Sequence, residues 1–263
     1  MSHELRSSTL AHCCLAMPGR ARQILQTAVA LARPGELGVK TGSCPFCGPT
    51  LLLKLANHAI SVRCMRCRAS VIHMSIAKVL QGLYADLAPL TVYEMSSRGP
   101  LFDYLGQAAA KRVYSEFFDD VPAGEFRGPV QCQDVQRLTY PDASFDLCTS
   151  TEVFEHVPDD RQGFKEVCRV LKPGGRFVFT VPLTQTHATV ERAMLVHGAL
   201  QHLLEPEYHG DAIRGQGRVL AFRNYGLDIV ARLTQAGFSA ARLVAADARV
   251  WWGLGQQVVV ADK

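Results

Sequence analysis

The chain has 263 residues, 48% of them hydrophobic, with a net charge of +4; that accommodates one full α/β domain and a small appendage. The charge is mild and forms no long basic run, so nucleic acid is neither demanded nor excluded as a partner. No apolar stretch reaches the roughly 18 residues of a membrane span; the best, Leu51–Ile60, is broken by Lys54, Asn57 and His58.

At the N-terminus, Glu4 and the mixed patch Leu10–Met17, with His12, Cys13 and Cys14, make a poor export signal. Nine cysteines without such a signal point to a reducing compartment, and the expected location is cytoplasmic. Arg20–Ala32 fits a helix with Ile24, Ala28 and Leu31 on one face, ended by Arg33-Pro34-Gly35. Residues 1–40 therefore read as a helical segment.

Cys44-Pro45-Phe46-Cys47 and Cys64-Met65-Arg66-Cys67 are two CxxC knuckles separated by sixteen residues. Four thiolates at this spacing close a tetrahedral shell around zinc, with no open coordination position, so the expected metal is structural. Two disulfides, unrelated thiols or an iron–sulfur cluster are the alternatives. Leu51–Leu55 and Ala59–Arg63 are expected as the two strands of a zinc ribbon over residues 41–75. A segment that short buries too little apolar surface to fold alone, and metal binding makes up the difference.

The most informative stretch is Ser144–Pro182. Phe145–Thr149 is a β-rich run that turns polar at Ser150, Thr151 and Glu152. Phe164, Val167, Cys168 and Leu171 then recur at helical spacing. Pro173-Gly174-Gly175 stops that helix, and Phe177–Val181 is a second buried strand. This is a β-α-β unit of a parallel sheet, whose ligands sit beyond the carboxyl ends of the strands. The cluster Ser150–His156 lies at such an end.

Phe145-Asp146-Leu147, Glu155-His156-Val157, Glu166, Arg169–Gly175 and Pro182, in that order, resemble the class I S-adenosylmethionine-dependent methyltransferases of the type 11 group. The resemblance implies an α/β, Rossmann-like, seven-stranded sheet, mostly parallel with an antiparallel last strand, over residues 76–263. It implies S-adenosyl-L-methionine as cofactor. The first strand then falls at Pro89–Glu94, and the loop Glu94-Met95-Ser96-Ser97-Arg98-Gly99-Pro100 replaces the family's glycine-rich turn with a single glycine. Ser96, Ser97 and Gly99 are small enough to admit the cofactor, and Pro100 suits the first helical position. By the same resemblance Glu94 closes the first strand. Glu116, at the end of a second strand Lys111–Glu116, faces the ribose hydroxyls, with Asp119 and Asp120 as rivals. Asp134, after the third strand Val130–Cys132, meets the adenine amino group, and Val135 offers its backbone amide. Thr151 completes the cofactor contacts.

Acceptor-side candidates at the same edge are Glu152, Glu155 and His156; in the family the position of His156 usually packs near the cofactor. The connection Leu183–Arg223 is long, and long connections tend to be functional. It carries His187, His197, His202 and His209, whose spacings fit no standard metal set. Val190–Leu204 is helix-compatible. His209 is a candidate base oriented by Asp211, beside Tyr208, with a satisfied loop histidine as the alternative. Tyr225–Gly237 reads as a helix, and Ala240–Ala245 with Gln256–Ala261 as the last antiparallel pair. Trp251 and Trp252 between them either cover the acceptor pocket or pack at the hairpin tip.

The leading function is methyl transfer to a small-molecule or glycan acceptor. An RNA methyltransferase using the ribbon and Arg63, Arg66 and Arg68 is the second reading, and a non-catalytic interaction module on a degenerate fold the third. Neither the acceptor atom nor the oligomeric state follows from the residues.

Overall fold

The computed structural model describes residues 32–211 and 217–263. The helix expected over Arg20–Ala32 lies, but for Ala32, outside them. Three strands form the ribbon: β1 (Gly38–Cys44), β2 (Gly48–Lys54) and β3 (Val62–Cys64), in that order and antiparallel. The ribbon strands differ from expectation. The first knuckle is the β1–β2 turn, closed by the Cys44↔Gly48 pair. Gly48 has φ +74°, a conformation that favours glycine. Ala59–Ser61 is a short 3-10 turn, so the third strand begins only at Val62.

Helix α1 (Val71–Leu83) leads into the main sheet. Its strands are β4 (Thr91–Glu94), β5 (Lys111–Glu116), β6 (Phe126–Arg127), β7 (Val130–Cys132), β8 (Phe145–Thr151) and β9 (Leu171–Thr180). The insertion adds β10 (Val190–Glu191), β11 (Ala193–Val196), β12 (Ala199–His202), β13 (Tyr208–Asp211), β14 (Gly217–Leu220) and β15 (Arg223–Asn224). β16 (Ala240–Ala245) and β17 (Gln257–Asp262) close the chain. The helices after α1 are α2 (Pro100–Ala108), α3 (Asp160–Val170) and α4 (Ile229–Gln235).

The main sheet runs β16-β17-β9-β8-β4-β5-β7-β6. β4, β5, β7, β8 and β9 are mutually parallel, while β17 is antiparallel to both neighbours. This is the expected seven-stranded, mostly parallel order with an antiparallel last strand, and β6 is an eighth, two-residue strand on its edge. Alternation along the strands serves two helical layers. Phe177, Phe179, Val259 and Ala261 face α3 and α4 through Phe164, Val167, Ile229 and Leu233. Val178, Val258 and Val260 face α1 and α2 through Ile76, Leu80, Leu101 and Leu105. The Pro173-Gly174-Gly175 run is absorbed into β9, where the register against β8 slips; α3 has already ended at Val170.

The insertion departs from expectation. Val190–Leu204 is extended rather than helical, because His197 and Gly198 take φ +50° and +81° and turn β11 back onto β12. A two-residue turn of this kind matches the strand twist and fixes a hairpin.

Trp251 does not cover an acceptor. It is 1% exposed and sits with Cys44, Leu52, Val62, Cys64 and Met74, joining ribbon, α1 and the β16–β17 connection. Trp252 stacks under the Lys40 ammonium, 4.3 Å from the ring centre. Trp251→Ala should therefore cost about 3–5 kcal/mol in denaturant unfolding and raise amide exchange selectively in β1–β3.

Candidate active site

The carboxyl ends of β4, β5, β7 and β8 open into a cavity of about 870 Å³. Glu94, Ser96, Glu116, Asp134, Val135, Thr151, Glu152 and His156 line it, and the insertion supplies Gly210, Asp211 and Val219. The ribbon side contributes Ile60, Arg63 and His73. Most of the residues expected around a cofactor are thus brought together. Ser97 and Gly99 act from behind: the Ser97 amide and hydroxyl donate to Glu116 Oε1 at 2.7 and 2.9 Å. Gly99, with φ +103°, starts α2 ahead of Pro100.

The acids along this edge sit in different surroundings. Glu94 is 1% exposed and accepts a hydrogen bond from the Thr149 hydroxyl. Burial pushes its carboxyl up to about 8. Burial also raises Glu116, against the pull of the Ser97 bonds. Asp134 Oδ1 accepts from the Gln136 amide at 2.9 Å and caps the turn Val135–Arg137.

On the acceptor side, β8 ends at Thr151 and Glu152 takes φ +52°, a strained conformation for a residue with a side chain and one that clusters at functional sites. Burial, reinforced by neighbouring Glu155, pushes the Glu152 carboxyl up to about 8. His156 Nδ1 lies 2.8 Å from the Leu220 carbonyl, which ties the turn after β8 to the second insertion hairpin. His209 meets this turn: its Nδ1 is 3.6 Å from Glu155 Oε1 and its Nε2 is 3.2 Å from Glu207 Oε1. Those two carboxylates, Glu155 foremost, raise the imidazole to about 9. Carboxylates thus face both ring nitrogens, an arrangement unlike the base oriented by Asp211 that the sequence suggests for His209. The carboxylates shown holding it are Glu155 and Glu207, while Asp211 lines the cavity from the same strand. Glu207 carried no role of its own in the sequence; no local pattern marks a residue whose role lies in contacts made across the fold.

The four ribbon thiols also converge. Cys44 and Cys67 Sγ are 3.5 Å apart, as are Cys47 and Cys64. Burial raises Cys44, and it also raises Cys47, up to about 11. Cys64, by contrast, comes down to about 6: burial opposes this, but the Cys67 amide, 3.5 Å from its sulfur, and Thr50 outweigh it. Of the expected basic surface, Arg63 turns into the cavity and Arg66 donates to the Cys47 carbonyl at 3.0 Å.

A family model described as a methyltransferase domain matches residues 107–179. That match takes in β5 and runs into β9. Among curated proteins, the chain is 32% identical over 107 residues to a demethylmenaquinone methyltransferase of Deinococcus radiodurans, covering 40% of this chain and 44% of that one. It is 42% identical over 50 residues to a ubiquinone biosynthesis O-methyltransferase of Coxiella burnetii, covering 19% of this chain and 21% of that protein. The chain thus spans less than half the length of the curated relatives it matches. A solved S-adenosylmethionine-dependent methyltransferase from Mesorhizobium loti covers 72% of this chain and 98% of its own, at 17% identity and a TM-score of 0.47.

Glu94 gives the fold a pH signature. A carboxyl at about 8 when folded, against an ordinary 4.5, holds its proton in the folded state and loses it on unfolding. Stability from this group is therefore greatest below about pH 4.5 and falls as pH climbs to about 8, by up to about 1.4 kcal/mol per unit. Glu94→Gln should flatten that part of the curve in denaturant titrations between pH 5 and 8; an unchanged slope would place the proton elsewhere.

Proposed function

We propose that the chain is an S-adenosylmethionine-dependent methyltransferase acting on a small-molecule acceptor in the cytoplasm. The observation that carries this reading is the cavity at the carboxyl ends of β4, β5, β7 and β8, lined by Glu94, Glu116 and Asp134 in chain order. Its volume lies within the roughly 300–1,000 Å³ usual for small-ligand sites. The matched relatives named above bear quinone-pathway names, which favours a small molecule over a glycan. The turn of Arg63 into the cavity weakens the RNA reading.

In this reading Asp134 and Val135 hold the adenine, Glu116 the ribose, and Glu94 with Ser96 the methionine end. The bound cofactor supplies a methyl group on a sulfonium, for which catalysis is mainly a matter of holding the acceptor in line and close. Glu152, neutral through burial, and His156 border the acceptor. His209 stands behind them, its imidazole held between Glu155 and Glu207.

S-adenosylhomocysteine should bind in the micromolar range, roughly −7 to −8 kcal/mol. Asp134→Ala and Glu94→Ala should each weaken it by about 1–3 kcal/mol in calorimetry. Labelled methyl groups from the cofactor should then appear in the small-molecule fraction of a cell extract. Label in RNA would move the assignment to the second reading, and no cofactor binding at millimolar ligand to a non-catalytic module.

We also assign the thiolate cluster, in a module spanning residues 41–75, to one structural zinc. Four sulfurs this close cannot all ionise without a cation between them, and their spacing fits sulfurs about 2.3 Å from a shared ion. Elemental analysis should find one zinc per chain, and Cys64→Ser should lose it and melt β1–β3. Iron with visible absorbance would overturn the assignment.

A further inference from the structure

Beside the cavity, three side chains from two distant parts of the chain converge on one oxygen. Glu155, in the turn after β8, is 1% exposed, and among the described residues neither of its carboxylate oxygens has a hydrogen-bond partner within ordinary reach. His156 Nε2 lies 3.5 Å from its Oε1, and His209 Nδ1, arriving from β13, lies 3.6 Å from the same atom. One ligating atom from each of the three falls within 4.8 Å of the others.

The far side of each imidazole is held as it is in metal sites. His156 Nδ1 faces the Leu220 carbonyl at 2.8 Å, and because a carbonyl only accepts, that nitrogen carries the hydrogen. Nε2 is then the nitrogen with a lone pair, and it is turned toward Glu155. His209 Nε2 faces Glu207 at 3.2 Å and leaves Nδ1 toward Glu155. An oxygen acceptor on the remote nitrogen fixes tautomer and ring orientation in metal-ligating histidines. Donors about 2.1 Å from a shared ion sit roughly 3.0–3.5 Å apart, close to the spacing here.

We propose that Glu155, His156 and His209 bind one divalent transition-metal ion. Two imidazoles and one carboxylate select manganese, iron, cobalt or zinc over magnesium or calcium. Three protein ligands leave coordination positions open, and of the three His156 also lines the cavity, beside Glu152. If the methyltransferase reading above holds, on which this role rests, those positions take an oxygen of the acceptor and hold it beside the cofactor. The four insertion histidines do not form the site together; one of them joins a glutamate–histidine pair some fifty residues earlier.

Manganese separates this site from the ribbon, because thiolates are poor ligands for it. Full-length protein stripped with chelator and titrated with Mn²⁺ should bind one ion per chain, read by loss of the free-ion paramagnetic resonance signal. His209→Ala, in a side chain 31% exposed, should weaken binding at least about tenfold, and Glu207→Gln by about 10–100-fold. His197→Ala, at the tip of the other hairpin, should leave it unchanged. No Mn²⁺ binding at millimolar concentration, or equal binding by His209→Ala, would overturn the proposal and leave His209 as a cation bridging two carboxylates. S-adenosylhomocysteine calorimetry on the same samples keeps the two readings apart. Cofactor binding without manganese sinks the metal site alone; manganese binding without cofactor sinks the methyltransferase reading and leaves the metal site standing.

Discussion

Parallel pairing around β4 is the constraint on which the site depends. β4 lies between β5 and β8, with Glu94 opposite Tyr114 on one side and Thr149 on the other. In a parallel sheet the chain must return to the same edge before each strand, so every carboxyl end opens on one side. The acids that end β4 and β5, the capping Asp134 after β7 and the polar end of β8 are therefore neighbours by topology. The opposite edge is clamped: Asp146 accepts from the Thr91 amide and from Lys172, each at 2.8 Å, joining the starts of β4, β8 and β9. The consequence of alignment is burial, and burial is what leaves Glu94 and Glu152 holding protons near neutrality.

The insertion is attached by a buried ionic network rather than by an apolar face. Arg223, 3% exposed, donates to the Phe154 and Pro158 carbonyls at 3.1 and 2.7 Å and pairs with Glu191 at 3.0 Å. Arg232 bridges Glu191 and Asp160 at 2.8 and 3.0 Å, and the Tyr225 hydroxyl reaches Asp160 at 2.9 Å. Removing one partner from such a set leaves an uncompensated buried charge, a cost of about 3–5 kcal/mol. The geometry it enforces is directional: Arg223 fixes the end of the insertion to the turn Phe154–Pro158, and Glu191 near its start is fixed to Arg223 and Arg232. The hairpin between the two ends then carries His209 back over Glu155. Apolar packing alone is non-directional and fixes such an approach less tightly. The two outward hairpin strands show the other side of this arrangement, with Met194, Leu195 and Leu200 largely exposed.

What was legible in the sequence follows the range of the interactions. Lys111–Glu116 and Val130–Cys132 were placed by the family resemblance, while Phe145–Thr149 read as a strand from its β-rich run, a local signal; the structure has all three. The single-glycine loop was legible for the same reason: Gly99 is the one position there whose φ requires glycine. Val190–Leu204 misled because Ala193, Val196 and Leu200 also fit a helical stripe. The deciding signal was the two-residue turn at His197-Gly198. The ribbon's first strand was missed because Gly38–Cys44 alternates small and polar residues with little apolar pattern. Trp251 stayed open between covering the acceptor and packing; it packs, against partners some two hundred residues earlier that no periodicity marks. The Glu155–His209 approach is of that same class.

The ribbon then has a part in the cavity that its spacing did not disclose. Ile60, from its 3-10 turn, and Arg63, on β3, face the space into which Glu94 and Asp134 also open. Cys64 is the next residue along β3, and its sulfur belongs to the thiolate cluster. Val71 and Met74 on α1 share a core with Cys44 and Cys64, while Ile76 and Leu80 on the same helix pack against Val178 and Val258. One helix thus transmits the position of the knuckles to the sheet. Because cores repack in discrete arrangements rather than deform smoothly, displacing β3 shifts Arg63 in the cavity wall together with Cys64 in the cluster. A cation that orders the four thiolates therefore also orders one wall of the site, and the two cannot be separated by cutting the chain after the ribbon.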